Sequence, residues 1–380
     1  MRVPDDLGPT MDAEPSAGEV VAAASAALGR VLTGSALVSG GSGRSMVLRC
    51  ADPVGGTVIV KSYPLTGEGP ESFAAEAAGL ALATGSGLSP DLLAADADEL
   101  VVVMADLGSG RSMADALLGQ SAADASAAVL SWAGVCGELS AVTSGRLDEL
   151  PGLVSRYSAG PPGTPFAEVL AGSVLRAPDR AALLGVTTPA GLADELATVA
   201  GFVQRPDRFA VFTPGDLCPD NNLLTPAGVR LLDFEAAGIY PVFLDAAYIR
   251  MPFSTCWCVF RLPAELSQAA EARYRAAVCT AWPELADDAV WQPGIRRGIA
   301  AWTMNSMGWL LGRALGGDPP LADERTSPRA RQLIRHRWQV LAGELEAADD
   351  LPSLAAFARS LLAATADWHA EELPLYPAFR

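Results

Sequence analysis

The sequence predicts an α+β protein of two unequal parts, a small antiparallel sheet lobe carrying one helix followed by a larger, mainly helical lobe. Three observations carry that expectation. Short apolar runs broken by glycine clusters crowd the first quarter of the chain, and beyond Gly110 the apolar residues recur mostly on a helical period. The 380 residues, half of them apolar, are also too many for one small domain.

Residues 1–17, rich in Pro, Gly and acids, read as a disordered leader. A helix is expected over residues 18–30. Ala36-Leu37-Val38, Met46-Val47-Leu48 and Val58-Ile59-Val60 then read as strands, joined first by the glycine-rich residues 39–45 and next by the turn Asp52-Pro53-Val54-Gly55-Gly56. Lys61 closes the third strand. Residues 68–84 follow as a helix with Phe73, Glu76 and Leu80 at spacings of three and four. A further strand, Leu100-Val101-Val102-Val103-Met104, runs into Ala105-Asp106-Leu107-Gly108. These elements define an N-terminal lobe over residues 18–107 and a C-terminal lobe over residues 108–380. In the second lobe, helices are expected at 112–118, 122–140 and 190–203. Strand-like pieces at 211–212, 222–224 and 229–232 interrupt them around a polar loop. Residues 159–164 and 316–320 read as further loops, and no internal repeat is evident.

The formal charge of −17, from 27 basic and 44 acidic residues, repels phosphate backbones and argues against nucleic acid as a partner. The same field would welcome a cationic substrate, although an acidic surface that keeps the protein soluble explains it equally well. No uninterrupted apolar run of membrane-spanning length occurs, and the first residues lack the basic start and apolar stretch of a secretion signal, so a cytoplasmic, membrane-free protein is expected. The six cysteines are scattered. Cys256 and Cys258 bracket Trp257 with no second pair to complete a zinc motif, and read as packing residues. Two histidines, His336 and His369, leave little room for Ser-His chemistry or a His-rich metal site.

The chemistry concentrates in Thr213-Pro214-Gly215-Asp216-Leu217-Cys218-Pro219-Asp220-Asn221-Asn222, followed by Leu231-Leu232-Asp233-Phe234-Glu235. A carboxylate, an amide five positions on and a second carboxylate after a strand-length run are presented from loops flanking a hairpin. This string resembles the catalytic loop and metal-binding segment of the aminoglycoside phosphotransferase and choline kinase family, which has a bilobal protein-kinase-like fold. The resemblance implies that Asp216 is the catalytic residue that accepts or orients the acceptor hydroxyl proton. It further implies that Asn221 and Asp233 hold Mg2+, and that Asp245, beyond Gly238-Ile239-Tyr240-Pro241, is a buried structural acid. One departure stands out: Pro214 occupies the place of the family's usual His, which props the loop.

The N-terminal lobe supplies the other parts in order. Lys61 resembles the lysine that contacts the nucleotide phosphates, and Glu76 the glutamate that pairs with it. Gly41, Ser42 and Gly43 lie in a loop whose backbone amides can approach phosphate closely. Met104, Asp106 and Leu107 resemble the hinge that lines the base pocket, with ATP or GTP left open. The expected reaction is transfer of a γ-phosphoryl group to a hydroxyl of a small-molecule acceptor: an aminoglycoside-like antibiotic, another natural product, a sugar or an amino alcohol. A Ser/Thr peptide acceptor and an inactive nucleotide-binding scaffold remain as alternatives. For the acceptor site the sequence offers less. Trp302, Asn305 and Trp309 share a helical face that reads as core or as a pocket lining, and Asp220 and Glu235 add negative charge near the metal ligands.

Overall fold

A computed structural model describes residues 15–38, 45–158, 160, 164–205, 207–251, 253, 256–322 and 327–380. The expected leader therefore lies almost wholly outside the described residues, as do Gly41, Ser42 and Gly43. The first helix, α1 (Ala17–Leu28), starts within the segment expected to be leader. Ser16 causes this by closing a capping box with Glu19, its hydroxyl accepting the Glu19 N–H while the Glu19 carboxylate accepts the Ser16 N–H.

Five antiparallel strands follow: β1 (Thr33–Leu37), β2 (Met46–Ala51), β3 (Thr57–Ser62), and then, beyond α2 (Gly69–Ala83), β4 (Leu92–Asp96) and β5 (Val101–Ala105). Their order in the sheet is β1-β2-β3-β5-β4. The edge strand β4 was not expected, since Leu-Leu-Ala-Ala-Asp has neither alternation nor β-branched residues; pairing with β5 makes it a strand. Alternation along β3 and β5 sorts the two faces. Val58, Val60, Val101 and Val103 join Val20 and Ala24 of α1 in a small core. Lys61 lies opposite Val102 in the register, on the other face, where α2 packs.

The larger lobe contains α3 (Met113–Leu117), α4 (Ala122–Val142), α5 (Leu150–Tyr157), α6 (Phe166–Leu175), α7 (Ala177–Ala181) and α8 (Leu192–Gln204). Four short strands come next: β6 (Ala210–Thr213), β7 (Asn222–Thr225), β8 (Gly228–Leu231) and β9 (Gly238–Pro241). The chain ends with α9 (Val242–Arg250), α10 (Ala264–Val278), α11 (Asp288–Leu315), α12 (Ala330–Ala348) and α13 (Pro352–Ala364). Among the described residues one helix, α4, is long and apolar enough to cross a membrane by length and composition, but half of that window is buried inside the fold. On the helical face of Trp302, Asn305 and Trp309, only Trp302 belongs to the core, while Asn305 and Trp309 are half-buried. Trp302 is almost fully buried and its indole N–H donates to the Leu244 carbonyl at 2.9 Å.

Candidate active site

The hairpin of β7 and β8 positions the site. Its register sets Asn222 opposite Leu231, and the Leu232 N–H donates to the Asn221 carbonyl at 2.8 Å. Asn221 and Asp233 therefore emerge at the same end of one hairpin. The loop before β7 folds back on itself: the Cys218 N–H donates to Asp216 Oδ1 at 3.3 Å, and Asn221 Nδ2 donates to the Asp216 carbonyl at 3.3 Å. The second bond engages the amide nitrogen and leaves the amide oxygen, the atom a hard cation takes, for other partners. Buried Asn222 clamps the loop from beneath through its Nδ2 and the Cys218 carbonyl.

Gly215 allows this loop to lie directly on the segment after Asp233. Its φ is +85°, and a Cβ there would sit 1.9 Å from the Ala236 carbonyl oxygen. Pro214 stands two residues before Asp216, and Thr213, buried at the end of β6, ties the loop to its surroundings. Its hydroxyl oxygen accepts the Gly215 N–H at 3.3 Å and also hydrogen-bonds Asp245. Burial pushes the Asp245 carboxyl up to about 7, with the Thr213 hydrogen bond opposing the shift. Asp245 thus occupies the buried, structural position expected of it.

Across the junction, Lys61 reaches down from the end of β3. Its Nζ lies 3.1 Å from Glu76 Oε2, 2.7 Å from Asp233 Oδ1 and 3.6 Å from Glu235 Oε2. Lys61 and Glu76 are 7% and 1% exposed, so this is a desolvated cluster with a formal excess of two negative charges. Burial works against the Lys61 charge, but Glu76, Asp233 and Glu235 override it and raise the ammonium's pKa. Burial raises the Glu76 carboxyl, with Lys61 opposing. Asp216 is also raised, chiefly by burial and further by the charges of Asp233 and Asp220.

Helix α2, which carries Glu76, is seated on the Asp233 segment through Gly79, where a Cβ would approach Ala237 Cβ to 2.8 Å and Phe234 to 3.0 Å. One participant escaped the sequence reading. Tyr63 donates its hydroxyl to Glu76 Oε2 at 3.1 Å and places its ring 5.0 Å from the Lys61 ammonium. Its only signal was the two-residue spacing from Lys61 along an extended strand. Glu235, expected only to add negative charge near Asp233, faces Lys61.

At the hinge, Met104 is buried on β5, and the Asp106 side chain is engaged by Arg49 at 2.6 Å, by the Thr57 hydroxyl and by the Gly108 N–H at 2.8 Å. Asp106 therefore secures the segment after β5 to the sheet. The three groups expected on either side of the junction, Lys61, Glu76 and Asp233, are brought together, and Asp216 and Asn221 share the loop tied to Asp233.

A family model described as phosphotransferase enzyme family matches residues 35–287. No curated protein sequence matches the chain. Among solved structures, a choline kinase from Cryptosporidium parvum Iowa II is similar at 12% identity and a TM-score of 0.51, covering 86% of this chain and 93% of that one. A macrolide 2'-phosphotransferase from Brachybacterium faecium is 17% identical, with a TM-score of 0.46 and coverage of 84% and 96%. The ternary complex of streptomycin, ATP and APH(2")-IIa is 12% identical, with a TM-score of 0.47 and coverage of 90% and 99%.

Proposed function

The chain belongs to the phosphotransferase enzyme family and has its bilobal, protein-kinase-like fold, and from that premise we propose that it transfers the γ-phosphoryl group of ATP to a hydroxyl of a small polar molecule with Mg2+. The observation that carries this reading is the single ammonium of Lys61 held between Glu76 of the sheet lobe and Asp233 of the helical lobe. Phosphoryl transfer has a loose transition state, so a protein contributes mainly by positioning and charge neutralisation. A lysine fixed by a buried glutamate meets the nucleotide phosphates without rearrangement. Met104, Asp106 and Leu107 border the base in this reading.

The residues fit a hard divalent ion. Asp233 and Asn221 offer oxygen donors from the same hairpin end, and the local excess of negative charge favours a dication. Bound Mg2+ would neutralise charge on the phosphates. Asp216 orients the acceptor hydroxyl and takes its proton on a carboxylate oxygen. Its raised pKa brings it nearer the working pH of a general base. The acceptor class is the one expected from the sequence: a natural product such as an aminoglycoside-like antibiotic, a sugar or an amino alcohol, met in the cytoplasm.

The test is ADP release from ATP and Mg2+ across a panel of such acceptors. Turnover with at least one hydroxyl compound is expected, and Asp216→Asn should lower kcat by about two to four orders of magnitude while nucleotide binding persists. Absence of both turnover and a nucleotide-dependent rise in melting temperature would refute the assignment.

A further inference from the structure

Three thiols and a carboxylate converge beside the catalytic loop, although they are far apart in sequence. Cys218 and Asp220 lie on the loop between Asp216 and Asn221, while Cys256 and Cys258 arrive from the segment after α9. The Cys218 sulfur, a carboxylate oxygen of Asp220 and the Cys256 sulfur all lie within 4.8 Å of one another. The Cys258 sulfur is 3.1 Å from that of Cys256. All three cysteines are buried, at 6%, 1% and 2% exposure. Donors about 2.3 Å from a tetrahedral ion stand about 3.8 Å apart, so Cys218, Asp220 and Cys256 need shifts of about 1 Å or less, and Cys258 must draw in beside Cys256, to surround one.

We propose that Cys218, Asp220, Cys256 and Cys258 form a structural site for one zinc-class divalent ion, which ties the catalytic loop to the 256–258 segment. The donor set is three soft sulfurs and one oxygen, the chemistry that selects zinc over magnesium. The surroundings orient these donors. The Trp257 indole N–H donates to Asp220 Oδ2 at 2.8 Å, which turns Oδ1 toward the sulfurs, 3.9 Å from that of Cys256. The Tyr248 hydroxyl stands 3.7 Å from the Cys218 sulfur and can donate to a thiolate. Such outer partners are what fix metal ligands in place. The spacing Cys-Trp-Cys alone reads as packing because the other two donors come from a loop about 36 residues earlier, a distance only the fold closes. On binding, each thiol releases its proton to solvent and its sulfur lone pair bonds the ion; no electron transfer is involved. This assignment is independent of the phosphotransferase reading, because it concerns metal retention and not turnover.

The experiment uses the full chain, reduced with a phosphine, stripped with a chelator and titrated with Co2+ alone. Saturation at one ion per chain is expected, with thiolate-to-cobalt charge-transfer absorption and the intense visible bands of a tetrahedral site, displaced by Zn2+. Cys218→Ser and Asp220→Asn should each weaken the ion's binding. Trp257→Phe should weaken it about 10- to 100-fold through loss of the Asp220 orientation. Cys50→Ser, buried in the sheet core, should leave the spectrum unchanged. Circular dichroism checks that each variant is folded, and Asp220→Asn stands in where a cysteine variant is not. The site is overturned if reduced, folded protein gives no tetrahedral cobalt spectrum at one equivalent. It is also overturned if the spectrum survives in both Cys218→Ser and Asp220→Asn, or if unreduced protein is two hydrogens lighter through a Cys256–Cys258 disulfide and binds no metal once reduced.

Discussion

Lys61 and Arg250 are each surrounded by carboxylates, one where the sheet meets the helical lobe and the other inside the helical lobe. Arg250 fills its guanidinium fork: Nη1 donates to Glu344 at 2.9 Å, and Nε and Nη2 bracket the Glu271 carboxylate, which also accepts the Trp291 indole N–H at 2.8 Å. One cation faces two anions, and the planar groups satisfy one another bidentately. Lys61 is a point charge among three carboxylates, at 3.1, 2.7 and 3.6 Å. Its cluster is short of positive charge and its donor is not committed to one geometry. A cluster whose planar groups satisfy one another holds the fold together, whereas one with the larger excess of negative charge and an uncommitted donor suits the cation and phosphates proposed for it.

That contrast can be broken by mutation. Arg250→Leu should have the largest effect on stability, about 3–5 kcal/mol by chemical denaturation, because it leaves Glu271 buried without a counter-charge. Comparable loss from Lys61→Met would erase the distinction. Acid probes a third arrangement, rich in cations. His336 on α12 is partly buried near Arg261 and Arg337, and burial followed by those charges lowers its pKa to about 4. The unfolded chain takes up this proton near pH 6.5 and the folded chain does not, so the stability contribution is complete above pH 6.5, declines as the pH falls and levels off near 4. At most about 3 kcal/mol is involved, less for a partly exposed ring. Asp245, raised to about 7, shifts stability in the opposite sense over an overlapping window, so the measurement is the difference in stability between the wild type and His336→Gln from pH 7 to pH 4. The wild type is expected to lose stability relative to His336→Gln as the pH falls from 7 to 4, and parallel curves would contradict it.

Lys61→Met should have the smallest effect on stability, about 1–2 kcal/mol, because burial already raises the Glu76 carboxyl, which can take a proton in place of the ammonium. Its activity should nevertheless fall about 10²- to 10³-fold in a coupled ADP assay. Stability and turnover thus separate at Lys61 and not at Arg250.

How far the sequence disclosed this organisation follows from the range of each interaction. The strands β2, β3 and β5 and the helix α2 were legible because their alternation and helical period are local. The string from Gly215 to Asp233 was legible because all its members lie on one loop and hairpin. Strand β4 was not, since only its neighbour makes it a strand. The Thr213 bond to Gly215, Tyr63 on Glu76, and the meeting of Asp220 with Trp257 were hidden because these contacts depend on rotamers or on chain segments brought together by folding.

Asp233 adopts a φ of +61°, a left-handed conformation that glycine or asparagine would occupy with less strain. The local backbone is therefore held about 1 kcal/mol or more above its relaxed state by the hairpin on one side and by the seat of α2 on the other. Thermal stability and phosphate chemistry make opposing demands on this residue. Selection for a hardier protein would favour glycine at position 233, and the lineage that accepted it would retain its shape and lose the carboxylate proposed to hold Mg2+.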